Sequence, residues 1–202
     1  MKKKIRNILI LGSAVGLAFF QCSKKQERPM NQEPFQQQTQ TRQPKEDDNP
    51  IISKGDFYFE FDELIHYKWK MDIDPYDLYE KDVLSKEEQI TVDYFFEDLP
   101  KDLNDKSLVK DIESRYKKTY IDTSLYADIK EIFREKKHRK SVDYSCIAEF
   151  RDILIFRKKK KIVGLAKICF TCDTNHILGT TKNTQDFGQS GDYDKLQALL
   201  YK

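Results

Sequence analysis

The 202-residue sequence lacks the motifs that would assign it to a common enzyme class. It has seven glycines, and no glycine-rich phosphate loop accompanies Asp186-Phe187-Gly188, a triplet that also occurs in protein kinases. We therefore interpret that triplet as a turn. Its three histidines, His66, His138 and His176, are scattered, and no serine or cysteine nucleophile pattern surrounds them. The sequence thus offers no catalytic motif, and we expect no cofactor.

The sequence also lacks a strong net charge. It has 36 basic and 34 acidic residues, for a net charge of +2. Four basic residues and no acidic ones lie in residues 1–21, so their removal leaves 32 basic against 34 acidic residues. A chain near neutrality argues against nucleic-acid binding, which requires an excess of phosphate-neutralising groups.

A long hydrophobic segment is absent as well. Residues 8–20 form an apolar run of 13 residues, whereas a transmembrane helix needs about 20. This run follows four basic residues within positions 2–6 and precedes Gln21-Cys22, an order that resembles a lipoprotein signal peptide. Lipoprotein signal peptides usually have leucine, a small residue and then glycine or alanine directly before the cysteine. Here Phe19-Phe20-Gln21 occupies those three positions. An ordinary secretory signal and an uncleaved anchor remain alternatives, and both of them also export the domain.

Acylation of Cys22 would anchor the chain to a lipid bilayer. Ser23-Lys24-Lys25 does not resemble the acidic stretch that marks surface display in some lineages. The predicted location is therefore the outer membrane, facing the periplasm.

Three segments follow from this interpretation. Residues 1–21 are the signal peptide, and residues 22–50 are the lipidated cysteine with a Gln- and Pro-rich tether. Positions 23–50 contain seven glutamines and four of the six prolines. Such a composition buries too little apolar surface to offset the entropy of ordering, so we expect a random coil spanning roughly 30 Å. Residues 51–202 form the single globular domain.

Hydrophobic periodicity predicts an α+β fold, with an antiparallel sheet of three or four strands and helices packed on one face. The alternating phenylalanines at positions 57, 59 and 61 indicate a strand, and Ser85-x-x-Glu88 is a capping-box pattern. The predicted elements are a strand opening at 56–69, helices at 85–99, 107–120 and 124–137, a hairpin of 144–157 with 161–171, an edge strand at 176–181 and a helix after 192.

The cysteines are the most specific local feature. If Cys22 is lipidated, Cys146, Cys169 and Cys172 remain in an oxidising compartment, and the hairpin would bring Cys146 close to Cys172. A disulfide from Cys146 to either member of the Cys169-x-x-Cys172 pair is one interpretation. Alternatives are a zinc site formed by the three thiolates with His176, thiol redox exchange, and inert buried thiols. Haem attachment is excluded because Asp173 stands where CxxCH requires histidine.

The cysteine region also resembles a known group of proteins. Residues 144–172 contain Cys146, then Phe150-Arg151-Asp152-Ile153-Leu154-Ile155-Phe156, a charged turn, and Ile168-Cys169-Phe170-Thr171-Cys172. This pattern resembles a group of uncharacterised bacterial lipoproteins with a lone cysteine followed by an Ile-Cys-Phe-x-Cys strand. The resemblance implies that the three cysteines occur together in exported proteins, and it carries no known activity.

Charge is distributed unevenly along the domain. Residues 51–128 contain 11 basic and 20 acidic residues, whereas residues 129–202 contain 16 basic and 9 acidic residues. A possible partner is therefore an anionic ligand or an acidic protein bound at the basic C-terminal half. The alternative is two solvated faces whose charges offset each other.

Two hypotheses of function follow. The first is a membrane-anchored cell-envelope lipoprotein whose domain is a non-enzymatic binding or accessory module. The second is a thiol-redox or metal-binding protein that uses Cys146, Cys169 and Cys172.

Overall fold

The computed structural model describes residues 50–140 and 146–202. All of these residues belong to one compact unit, Arg42–Lys202. The predicted signal peptide, Cys22 and nearly all of the predicted tether lie outside the described residues, as does Tyr144, where the first hairpin strand was predicted to begin.

The described fold is α+β, and its main sheet is antiparallel, as predicted. That sheet has five strands in the order β3-β2-β5-β6-β7 rather than three or four, and a separate two-stranded sheet pairs β1 with β4. The strands are β1 (Ile51–Phe57), β2 (Glu63–Trp69), β3 (Tyr116–Tyr120), β4 (Arg134–His138), β5 (Asp152–Lys158), β6 (Lys161–Cys169) and β7 (Thr174–Leu178).

The helices begin largely where the sequence indicates. Ser85 and Glu88 form the predicted capping box, with each side chain bonded to the other residue's backbone N–H. The helices are α1 (Pro75–Tyr79), α2 (Lys86–Phe96), α3 (Leu108–Arg115), α4 (Tyr126–Ile132), which follows a short 3-10 turn, and α5 (Asp192–Leu200).

The predicted helices at 107–120 and 124–137 are wrong in their second halves. Each of them ends early and continues directly as a strand, β3 after α3 and β4 after α4. The change from α3 to β3 occurs at Tyr116, whose backbone is extended and pairs with that of Trp69. Backbone pairing with a neighbouring strand outweighs the local helix propensity of these residues, and sequence periodicity cannot anticipate this pairing.

Helices cover both faces of the sheet, so the prediction of helices on one face is wrong. Leu64 and Phe156 pack with residues of α4 and α5. Their neighbours Ile65 and Ile155 point to the opposite face, where they pack with residues of α2 and α3. The uninterrupted run of buried apolar residues at positions 153–156 follows from this, because a strand buried on both faces need not alternate.

The alternating phenylalanines do not form the predicted strand. Strand β1 ends at Phe57, and Tyr58 and Phe59 are both buried in the following loop. The Phe59 ring lies 4.4 Å from the Phe156 ring, centroid to centroid, and rests on Gly164. A Cβ at position 164 would come within 2.3 Å of that ring, so only glycine fits beneath it.

The hairpin of β5 and β6 is confirmed, and its turn has unusual chemistry. Lys158 pairs with Lys161, and a bulge follows Phe156. The two turn residues, Lys159 and Lys160, have φ values of 50° and 67°. Two-residue hairpin turns of this kind favour Asn-Gly, because other residues with a Cβ are strained at positive φ. The Asp62 carboxylate holds the turn by accepting the Lys159 N–H at 2.9 and 3.1 Å.

Relieving this strain should stabilise the domain. We expect Lys159→Asn combined with Lys160→Gly to raise the free energy of unfolding by about 1 kcal/mol, since it supplies the residues that the turn prefers. Urea unfolding, with an unchanged slope, measures the effect. The control, Lys159→Ala with Lys160→Ala, removes the same charges but keeps both Cβ atoms. Equal shifts in the two double variants would contradict backbone strain as the cause.

Candidate functional site

The structure joins two of the three candidate cysteines. Cys146 and Cys172 form a disulfide with a Cα–Cα distance of 6.2 Å. Cys146 lies before β5 rather than within the hairpin strand where the sequence predicted it. Cys169 is a buried free thiol near the end of β6, and its sulfur accepts the Glu149 N–H at 3.3 Å.

His176 does not join the cysteines. Its Nε2 lies 3.1 Å from the carbonyl oxygen of Pro100, and its Nδ1 lies 3.4 Å from the Asp98 carboxylate. Burial lowers the pKa of His176. Across residues 50–140 and 146–202, no group of three or more His, Cys, Asp or Glu side chains is arranged to hold a metal ion. The candidate zinc set is therefore not assembled in this part of the chain.

A buried lysine that sequence reasoning missed lies directly opposite His176. Lys167 pairs with His176 across β6 and β7, and its side chain is fully buried. Its Nζ donates to the carbonyl oxygen of Glu97, the residue that ends α2, and lies 4.2 Å from the centroid of the Phe150 ring. Burial lowers the pKa of Lys167 to about 7. The only sequence signal was a single charge within an apolar strand.

A cleft of about 460 Å³ lies beside α4 and α5. Apolar and charged side chains both line it. Its apolar members are Ile51, Ile132, Ala198 and Leu199, and its polar members are Lys54, Asp128, Glu131, Lys136, Ser190, Asp192, Lys195 and Lys202.

A buried ion pair forms part of the cleft wall. Lys136 Nζ lies 2.6 Å from the Asp192 carboxylate, and both side chains are almost fully buried. Lys136 also donates to the carbonyl oxygen of Ile132, at the end of α4. Asp192, the first residue of α5, additionally accepts the Gly188 N–H and the Ser190 hydroxyl. These bonds satisfy both charges and fix the start of α5 against β4 and α4.

A second cluster, formed by the buried His66 and Asp152 with the partly exposed Tyr201, holds the other end of the same helix. Tyr201, which follows α5, donates its hydroxyl to Asp152 at 2.6 Å, and the same carboxylate oxygen lies 2.7 Å from His66 Nε2. Asp152 and His66 belong to the adjacent strands β5 and β2. Helix α5 is thus held at both ends by polar contacts to buried side chains, and it forms one wall of the cleft.

The Ser190 hydroxyl lies between a histidine and a carboxylate. It is 3.4 Å from His138 Nε2 and 3.2 Å from the Asp192 carboxylate, which accepts its hydrogen bond. Asp192 is at the same time paired with Lys136. The contact therefore supports the wall of the cleft.

Two ammonium groups at the cleft have no carboxylate partner among the residues that the structure describes. Lys54 pairs with Glu131 at 2.8 Å, and Lys136 pairs with Asp192. Lys195 donates to the carbonyl oxygen of Ser190, whereas Lys202 has no ion pair within the described chain. Asp128 also lines the cleft, so its lining has four lysines and three acidic residues, a net positive charge of one. Apolar side chains beside this small positive excess suit a small molecule that has an apolar body and an anionic group.

The chain matches no protein-family model, no curated protein sequence and no solved structure. None of the described helices is both long enough and apolar enough to span a membrane.

Lys167 should make stability depend on pH in a defined window. Its folded pKa is about 7 against an ordinary value of 10.5, so the unfolded chain binds more protons between these values. Stability should therefore rise as pH increases from about 7 to 10.5. We expect Lys167→Met to raise the free energy of unfolding at pH 7 by about 1–4 kcal/mol and to flatten this rise.

Urea unfolding at pH 7 and pH 9.5 measures both effects. Lys161→Met, at an exposed position of the same strand, is the control and should change neither. A Lys167→Met protein less stable than wild type at both pH values would show that the bond to Glu97 outweighs the burial of the charge.

Proposed function

We propose that this chain is an exported lipoprotein, anchored to a membrane through acylated Cys22, whose domain is a non-enzymatic binding module. The single observation that carries the binding role is the cleft beside α4 and α5, with its apolar lining and its unpaired lysines. The proposed ligand is a small amphipathic anion. The proposed location remains the outer membrane, facing the periplasm.

The disulfide supports export. Structural disulfides persist in oxidising compartments and are rare in the cytosol, and the Cys146–Cys172 bond closes a separation of 26 residues. A chain that begins with a basic segment and an apolar run of 13 residues is consistent with the same compartment.

The arrangement of the cysteines favours the binding role over the thiol alternative. A redox-active CxxC pair cycles between two thiols and a disulfide that joins its own two cysteines, as a partner's disulfide is reduced or its dithiol is oxidised, but here Cys172 is bonded to Cys146. Cys169 is buried, so its sulfur is not accessible to the disulfide or thiol of a partner in this fold. Redox exchange through Cys169 and Cys172 would require this disulfide to rearrange.

The anchor is tested at Cys22. We expect Cys22→Ser to abolish incorporation of labelled fatty acid and to move the protein out of the membrane fraction, because acylation requires the thiol. Cys169→Ser is the matched control and should fractionate like wild type. If wild-type protein incorporates no labelled fatty acid and Cys22→Ser fractionates unchanged, the lipoprotein proposal is wrong.

The cleft is tested by filling it. We expect the folded wild-type chain to bind 8-anilinonaphthalene-1-sulfonate, a probe with apolar rings and one sulfonate, saturably and at one site. Ala198 is exposed and lines the cleft, so Ala198→Trp should weaken binding at least about tenfold, or 1.4 kcal/mol.

Gln197→Trp places the same side chain on the adjacent exposed position of α5, outside the lining. It should bind the probe within about twofold of wild type. Fluorescence titration, with circular dichroism to verify folding, separates the two variants. Equal affinities of the Ala198 and Gln197 variants would contradict the cleft as the binding site.

A further inference from the structure

The turn between β5 and β6 combines backbone strain with concentrated positive charge. Four consecutive lysines, Lys158–Lys161, occupy it, and all four are exposed. Lys159 and Lys160 are both held at positive φ, where asparagine and glycine would cost less. Local strain that persists at an exposed position points to a role outside folding.

Nearby carboxylates offset the four lysines only in part. Glu60 is paired with Lys130 at 2.8 Å and also interacts electrostatically with Lys158, and Glu63 is paired with Arg157 at 3.2 Å. Asp62 accepts the backbone N–H of Lys159, which places one carboxylate beside the turn. Within the described residues, no carboxylate lies within salt-bridge distance of the Lys158–Lys161 ammonium groups. The end of the hairpin thus presents four lysines without a direct ion pair and a net positive charge.

We propose that the Lys158–Lys161 turn docks onto anionic phospholipid headgroups of the bilayer that holds the chain. This inference rests on the proposed lipid anchor, because anchoring places a bilayer within reach of the domain. The 28 residues of positions 23–50 can extend to at most about 90 Å, so the chain length permits contact. Basic clusters near a bilayer bind anionic headgroups, and they act as the second signal that makes a lipid anchor stable.

Docking at the turn differs from binding in the cleft. The lining of the cleft contains none of residues 158–161. A docked turn would fix which side of the domain faces the membrane and leave the cleft free for its ligand. The turn suits a surface contact because its four lysines are all exposed at or beside a two-residue loop.

Vesicle flotation tests the proposal. The mature chain with Cys22→Ser has no acyl group, so any binding reports on the domain surface. We expect it to bind vesicles that contain 30 mol% phosphatidylglycerol, to lose affinity as salt rises, and not to bind pure phosphatidylcholine. Lys159→Gln with Lys160→Gln should weaken binding roughly 25-fold, about fivefold for each lysine.

Lys101→Gln with Lys106→Gln is the matched control, since it removes equal charge from two exposed positions elsewhere on the domain. It should bind within about twofold of the Cys22→Ser parent. The Asn-Gly turn variant gives a second, opposed readout, because it should stabilise the domain while weakening vesicle binding by the same roughly 25-fold.

Failure of the parent to bind phosphatidylglycerol vesicles, or equal binding by the turn variant and its control, would overturn the proposal. Salt-sensitive binding to an acidic glycan or protein without vesicle binding would also overturn it. The anchor is judged separately by fatty-acid labelling at Cys22, so failure of one idea is distinguishable from failure of the other.

Discussion

The central residues of β2 and β5, at positions 64–67 and 152–156, are buried on both faces of the sheet, and the rest of the domain is arranged around that constraint. Adjacent residues such as Leu64 and Ile65 both have no accessible surface, although their side chains point in opposite directions. The chain must therefore supply helices to both faces of an antiparallel sheet. It does so with α2 and α3 on one side and with α4 and α5 on the other.

Covering both faces brings charged residues into the interior, and each of them receives a specific partner. The ion pair of Lys136 with Asp192 and the contacts of Asp152 with His66 and Tyr201 fix opposite ends of α5. Buried charge stabilises little by itself, but the loss of one partner would leave the other uncompensated. These contacts therefore define the position of α5, and with it the wall of the cleft. The proposed binding role therefore depends on the position of α5, whose residues line the cleft.

The two proposed contacts of the domain differ in how the fold provides them. The cleft is built from elements distant in sequence, since it takes residues from β1, α4, β4 and α5. The lysine turn is contiguous, and Asp62 holds it by accepting the N–H of Lys159 at positive φ, in a loop whose four lysines are exposed. The cleft therefore depends on the packing of distant elements, whereas the lysine turn depends on one hydrogen bond to its backbone.

The sequence by itself determined those elements whose formation depends on residues close to one another in the chain. The capping box at Ser85 and the apolar runs of the β5–β6 hairpin are of this kind, and both are present in the fold. The approach of Cys146 to Cys172 was also foreseen, although Cys146 lies outside the strand. Tertiary structure alone decided the strand from Tyr116 onward, the second layer of helices, the buried Lys167 and the cleft. These four features share one physical reason, because each of them depends on backbone pairing with, or burial against, segments far away in sequence. Neither pairing nor burial of this kind leaves a local periodic signal.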